Sequence, residues 1–139
     1  MRNSKPILLV EDDRVDAMTV ERALKGLKVR NPLVHSINGE EALEHLRGQG
    51  NEKPYIILLD LNMPKMNGIE FLKIVKADEE LKKIPVVVLT TSKDEQDVIE
   101  SFKLSVAGYM VKAADYEKFV ETVEAICLYW TLSELPYGG

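Results

Sequence analysis

Five short apolar runs punctuate this chain: ILLV (7–10), LVHSI (33–37), YIILL (55–59), VVVL (86–89) and AGYMV (107–111). Most lack polar alternation and are rich in Val, Ile and Leu, as strands covered on both faces are. The segments between them have helical period instead. Ala17, Val20, Leu24 and Leu27 are spaced three, four and three apart and make one apolar stripe. Asn38 stands three before Glu41 and starts a second helix that buries Ala42, Leu43 and Leu46. Asn67-Gly68 opens a third, with Ile69, Leu72 and Val75 inward. Ser92 and Glu95 form an S-x-x-E box for a fourth helix carrying Val98, Ile99 and Phe102. Asp115 caps a fifth, running through YEKFVETVEAICLYW.

The resulting order is (βα)₅. Such alternation implies an α/β fold, with a parallel sheet, helices on both faces and right-handed crossovers. At 139 residues the chain makes one domain, 1–139, with an extended C-terminal helix or tail at about 128–139. Five strands and this length suit the flavodoxin-like, doubly wound order 2-1-3-4-5. RGQGNEKP (47–54) is expected as a surface loop.

Composition removes several functions. Net charge is −5 and no Lys/Arg run exceeds two residues, so no basic stripe for nucleic acid is visible. The opening MRNSKPILLV has only four consecutive apolar residues, too few for a signal peptide or membrane span, and a cytoplasmic protein is expected. The one cysteine, Cys127, falls among apolar residues and reads as an inert core thiol. His35 and His45 read as structural, on strand 2 and on the surface of helix 2.

In an open parallel sheet, ligands bind beyond the carboxyl ends of the strands, at the switch in strand order. The residues there are Glu11, Asp12 and Asp13 after strand 1, Asp60 after strand 3, Thr90 after strand 4 and Lys112 after strand 5. Asp13 belongs to the start of the first helix. Strands 1 and 3 are neighbours in this order, so Asp60 should face the acidic pair. Two like charges about 4 Å apart cost roughly 4 kcal/mol at an effective dielectric of ~20. Either one carboxyl is protonated or a cation binds. The donors are all oxygens, which points to a hard ion such as Mg²⁺. Carboxylates, cation, hydroxyl and lysine around one point make a phosphoryl-transfer site with Asp60 as nucleophile. Each residue alone has a plain reading as a turn, cap or strand terminator. Together, on one sheet edge, they are specific.

ILLVEDD, LLDLNMPKMNG, PVVVLTTS and AGYMVK resemble the motifs of response-regulator receiver domains of two-component signalling, and the resemblance spans essentially the whole chain. The separations also fit, with 30 residues from Asp60 to Thr90 and 22 from Thr90 to Lys112. The resemblance implies that Asp60 accepts a phosphoryl group from a sensor histidine kinase. It makes Glu11 and Asp12 the Mg²⁺ pocket, to which Asn62 adds its backbone carbonyl. Thr90 becomes the switch hydroxyl, Lys112 the ion-pair partner and Tyr109 the aromatic switch residue. DRVDAMTVERAL, NGEEALEHLRGQG and YWTLSELP narrow the resemblance to single-domain regulators paired with bacterial and cyanobacterial phytochromes. One position departs: the family places a proline, in a cis bond, after the lysine, and here Ala113 follows. A cis bond costs about 2.5–4 kcal/mol before a residue other than proline, so a trans Lys112–Ala113 bond and an altered loop are expected.

About twenty-five residues follow the start of helix 5, so no output domain is expected and output falls to protein contacts. Residues 126–130 are apolar in succession, wider than one core-facing stripe. A homodimer through the β5/α5 face, anchored by Tyr129, Trp130 and Leu132, is therefore expected, against a tail folded back on its own domain. The downstream target is not identified by the sequence. Competing readings are a degenerate receiver that binds partners without phosphorylation and an aspartyl-phosphate hydrolase. Such hydrolases want a second Asp two residues after the nucleophile, where Asn62 stands. Flavin binding fails because EDD after strand 1 repels phosphate.

Overall fold

The computed structural model describes residues 5–113 and 115–132, for the last three the backbone only. The elements are β1 Ile7–Val10, α1 Arg14–Gly26, β2 Leu33–Ser36, α2 Gly39–Arg47, β3 Ile56–Leu59, α3 Gly68–Ala77, β4 Val86–Thr90, α4 Glu95–Lys103, β5 Gly108–Val111 and α5 Tyr116–Leu132. A 3₁₀ turn at Leu81–Lys83 precedes β4. The strands form one parallel sheet in the order β2-β1-β3-β4-β5.

Strand side chains alternate between the faces, which divides the core into two layers. Ile7 and Leu9 of β1, with Ile56 and Leu58 of β3, pack against Ala17, Val20 and Leu24 of α1 and Phe119 and Val123 of α5. Leu8, Val10, Ile57 and Leu59 face the other way, onto Ala42, Leu43 and Leu46 of α2 and Phe71, Leu72 and Val75 of α3. Both faces of β1 and β3 are covered, which is why their sequences show no polar alternation. No helix among the described residues is long and apolar enough to cross a membrane.

Helix starts follow side-chain chemistry. Asp13 caps α1 through the Val15 and Asp16 amides, and Asn38 caps α2 through the Glu41 amide. Asn67 and Glu70 make a reciprocal capping box on α3. Asp115 accepts hydrogen bonds from the Glu117 and Lys118 amides at the start of α5.

Several sequence expectations need correction. The cap of α4 is Asp94, which accepts from the Gln96 amide, while the Ser92 hydroxyl turns to the Asp97 carboxylate at 2.6 Å. Ile99 and Phe102 point outward and are largely exposed; the inward line is Val98, Ser101 and Leu104. Apolar composition misled there because α4 packs at the edge of its layer, where only Ser101 is fully covered. Leu27 is the C-terminal cap of α1 and is also exposed. His45 is half-buried rather than on the surface, and its buried Nε2 has no hydrogen-bond partner.

Candidate functional site

The carboxyl edge of the sheet gathers the predicted residues. In register, Val10 of β1 stands beside Leu59 of β3, so the next residues, Glu11 and Asp60, leave the sheet side by side. Thr90 of β4 pairs with Val111 of β5, which puts Lys112 one step beyond the same edge. Glu11, Asp60, Thr90 and Lys112 are all buried, whereas Asp12 is exposed.

Gly68 lets the α3 terminus close over this edge. A Cβ there would lie 2.6 Å from the Leu61 Cα and 2.7 Å from the Asp60 carbonyl oxygen, a backbone approach open only to glycine. The Gly68 amide donates to the Leu61 carbonyl at 3.0 Å and ties the helix to the residue after Asp60.

Asp60 sits at the centre. Its Oδ1 accepts from the Thr90 hydroxyl at 2.8 Å and from the Asn62 amide at 3.2 Å. Its Oδ2 lies 3.5 Å from the Lys112 ammonium. Lys112 also donates to Glu11 Oε1 at 2.5 Å and to Asp16 Oδ2 at 2.8 Å. The other Glu11 oxygen accepts from the Asp13 amide at 3.1 Å, and the Glu11 carbonyl accepts from His35 Nε2 at 2.7 Å. The carbonyl is an acceptor only, so that imidazole nitrogen carries the proton.

Glu11, Asp12 and Asp60 each offer a carboxylate oxygen, all within 4.8 Å of one another. Burial pushes the Glu11 carboxyl up to about 8, with Asp60 adding to the rise and Lys112 opposing it. A buried Glu11 whose charge is disfavoured, beside two further carboxylates and with oxygen donors throughout, fits a hard divalent cation. Burial also works against the Lys112 charge. Its hydrogen bonds to Asp16 and Glu11 overcome that penalty and hold the ammonium above its ordinary range.

The remaining predicted residues are near but play different parts. The Asn62 side-chain amide reaches toward the Thr90 and Thr91 hydroxyls, at 3.5 and 3.4 Å. The Tyr109 ring packs half-buried on the α2/α3 side, and its hydroxyl donates to the Ser92 carbonyl at 3.0 Å. Burial raises its pKa. The Ser92 amide in turn donates to Thr90 Oγ1 at 3.3 Å, so Thr90 and Tyr109 both hold the loop at Ser92. The Lys112–Ala113 bond is trans, since no cis peptide occurs among the described residues. Tyr129 lies far along α5 and is exposed, while the side chains of Trp130 and Leu132 lie outside the described residues.

Asp16 was not singled out by the sequence. Three residues beyond the Asp13 cap it reads as an ordinary first-turn acid. Its position one turn into α1, beside the strand edge, was the available signal.

A family model described as the response regulator receiver domain matches residues 7–124. The chain is 41% identical over 130 residues to the response regulator Rcp1 of Synechocystis sp., covering 91% of this chain and 88% of that protein. Among solved structures, the phosphorylated cyanobacterial phytochrome response regulator RcpA is similar at TM-score 0.91 and 39% identity, covering 96% of this chain and 99% of that one. The Mn²⁺-bound form of Rcp1 is similar at TM-score 0.89 and 39% identity, covering 95% and 99%.

Proposed function

This chain belongs to the response regulator receiver domain family, and from that premise we propose a phosphorylation switch in which Asp60 is the phosphoacceptor. One observation carries the assignment: the two oxygens of a buried aspartate face a hydroxyl from β4 and an ammonium just beyond β5.

A carboxylate oxygen of Asp60 attacks phosphorus. The P–N bond of a phosphohistidine on a sensor kinase breaks, and the imidazole leaves with that electron pair. Glu11, Asp12, Asp60 and the Asn62 carbonyl would hold Mg²⁺, which neutralises charge on the transferring group when bound. Lys112 stands ready for the same charge from β5. The Thr90 hydroxyl follows the phosphoryl group, and the loop it shares with Tyr109 carries the change to the β4–α4 and β5 surface. A small phosphodonor should substitute for the kinase. Incubation with acetyl phosphate and Mg²⁺ should add one phosphoryl group to the wild type and none to Asp60→Asn, read by intact-protein mass. An unmodified wild type overturns the assignment, and a modified Asp60→Asn moves the acceptor elsewhere.

The kinase partner is proposed to be phytochrome-like, since the similar RcpA is a phytochrome response regulator by name, and a cytoplasmic location is proposed with it. A homodimer is proposed through β5 and α5, with Tyr129, Trp130 and Leu132 as its anchors. Exposure of 63% for Leu128 and 62% for Tyr129 supports it, as does an apolar groove of about 330 Å³ between Met110, Ala125, Ile126 and Tyr129. Light scattering at roughly tens of micromolar should give the dimer mass, and a monomer with and without phosphorylation overturns it.

A further inference from the structure

Lys112 has more partners than its role at Asp60 requires. An ammonium group has three hydrogens to donate. Glu11 takes one at 2.5 Å and Asp16 another at 2.8 Å, while Asp60 stands at 3.5 Å. The group due to meet a phosphoryl on Asp60 is held farthest from Asp60.

The residue after the lysine is Ala113, and Asp16, Thr19, Thr91, Lys112 and Ala113 border a cleft of about 320 Å³. The lysine side chain is only 3% exposed, and the polar partners of its ammonium are Glu11, Asp16 and Asp60. Two of its three partners, Glu11 and Asp60, belong to the acidic cluster. Asp16 stands apart from it, on α1 at the rim.

The partners also differ in freedom. The Glu11 side chain is 3% exposed and its second oxygen is held by the Asp13 amide. The Asp16 side chain is 26% exposed. Released from Lys112, Asp16 meets water, whereas Glu11 would be left with a buried oxygen that has lost its donor.

We propose that Asp16 is a positioning residue that holds the Lys112 ammonium on the α1 side of the site, and that a phosphoryl group on Asp60 draws Lys112 away from it. The proposal rests on Asp60 being the phosphoacceptor. A phosphoryl group brings about two negative charges and new acceptor oxygens, against the single charge of Asp16. Asp16 is the contact that gives way, so it competes with the phosphoryl group and lowers the site's affinity for it.

Beryllofluoride, a phosphoryl analogue, provides the test. Calorimetric titration in Mg²⁺ should show Asp16→Asn binding about three- to tenfold more tightly than the wild type, as loss of one charged, partly exposed hydrogen bond implies. Asp16→Glu, which keeps the carboxylate, should bind like the wild type. The crystal structure of the beryllofluoride-bound wild type should show Lys112 beyond about 4 Å from Asp16, outside ion-pair range. Equal or weaker binding by Asp16→Asn overturns the proposal, as does equal tightening by Asp16→Glu. Tightening with Lys112 still on Asp16 in the bound structure marks a plain charge effect and also overturns it. A wild type that binds no beryllofluoride removes the Asp60 assignment itself, a different result from binding that is insensitive to Asp16.

Discussion

The Thr90 hydroxyl donates a 2.8 Å hydrogen bond to Oδ1 of Asp60 across 30 residues of chain, and Thr90 has no exposed surface. The same oxygen of Thr90 accepts from the Ser92 amide, so one hydroxyl joins the central carboxylate to the loop that also receives Tyr109. The contact places the proposed switch residue on the proposed acceptor before any phosphoryl group arrives.

Thr90→Val keeps the shape and removes that hydroxyl. Oδ1 of Asp60 then retains only the Asn62 amide as a donor, and the Ser92 amide loses its acceptor. Stability should fall by about 1 kcal/mol in urea denaturation. Phosphoryl uptake from acetyl phosphate should slow by about tenfold or more, since a donor aimed at the reacting carboxylate is gone.

Metal binding should depend on pH through Glu11. Its carboxyl, raised from 4.5 to about 8, keeps its proton in the folded state across that interval while the unfolded chain releases it. The folded protein then binds more protons, so this group's contribution to metal-free stability falls as pH rises from about 5 to 8. Mg²⁺ must displace that proton. Its affinity should rise with pH over the same window, by up to about tenfold per unit for one proton released, as calorimetry would measure. Adding Mg²⁺ at pH 8 should raise the melting temperature by mass action.

Gly68→Ala should disturb the site without touching a charged group. The new methyl would meet the Asp60 and Leu61 backbone at 2.6–2.7 Å, and backbone cannot move aside as a flexible side chain does. A loss of about 1–3 kcal/mol is expected in thermal or urea denaturation, with amide resonances shifting at Asp60 and Leu61.

Cys127 should be inert while the protein is folded. Burial raises its thiol from 9.0 to about 11, which cuts the thiolate fraction at pH 8 by about a hundredfold. Iodoacetamide should label it that much more slowly in buffer than in denaturant. The unfolded thiol ionises first as pH rises, so the stability this group lends is present below about 9 and lost between 9 and 11.

The sheet was legible because its residues carry local signals. Runs without polar alternation marked strands covered twice, and the caps at Asn38, Asn67 and Asp115 marked helix starts. The four site positions were legible because a parallel sheet brings the residues after its strands to one edge. Helix α4 was misread on two counts. Ser92 lost the cap to Asp94 because its hydroxyl had a better partner in Asp97, and Phe102 looked inward only by composition. Burial depends on which layer edge a helix occupies, and that is a property of the assembled fold.

The amino-acid order by itself determined the strand sequence, the strand-end chemistry and the alanine where a proline is expected, since each is a matter of residue type and spacing. Only the tertiary structure decided how Lys112 divides its hydrogen bonds. Asp16 and Lys112 are 96 residues apart, and nothing local to either records that α1 and the end of β5 meet. Hydrogen bonds of an ammonium are short-ranged and few, so their allocation follows distances that exist only once the sheet has closed.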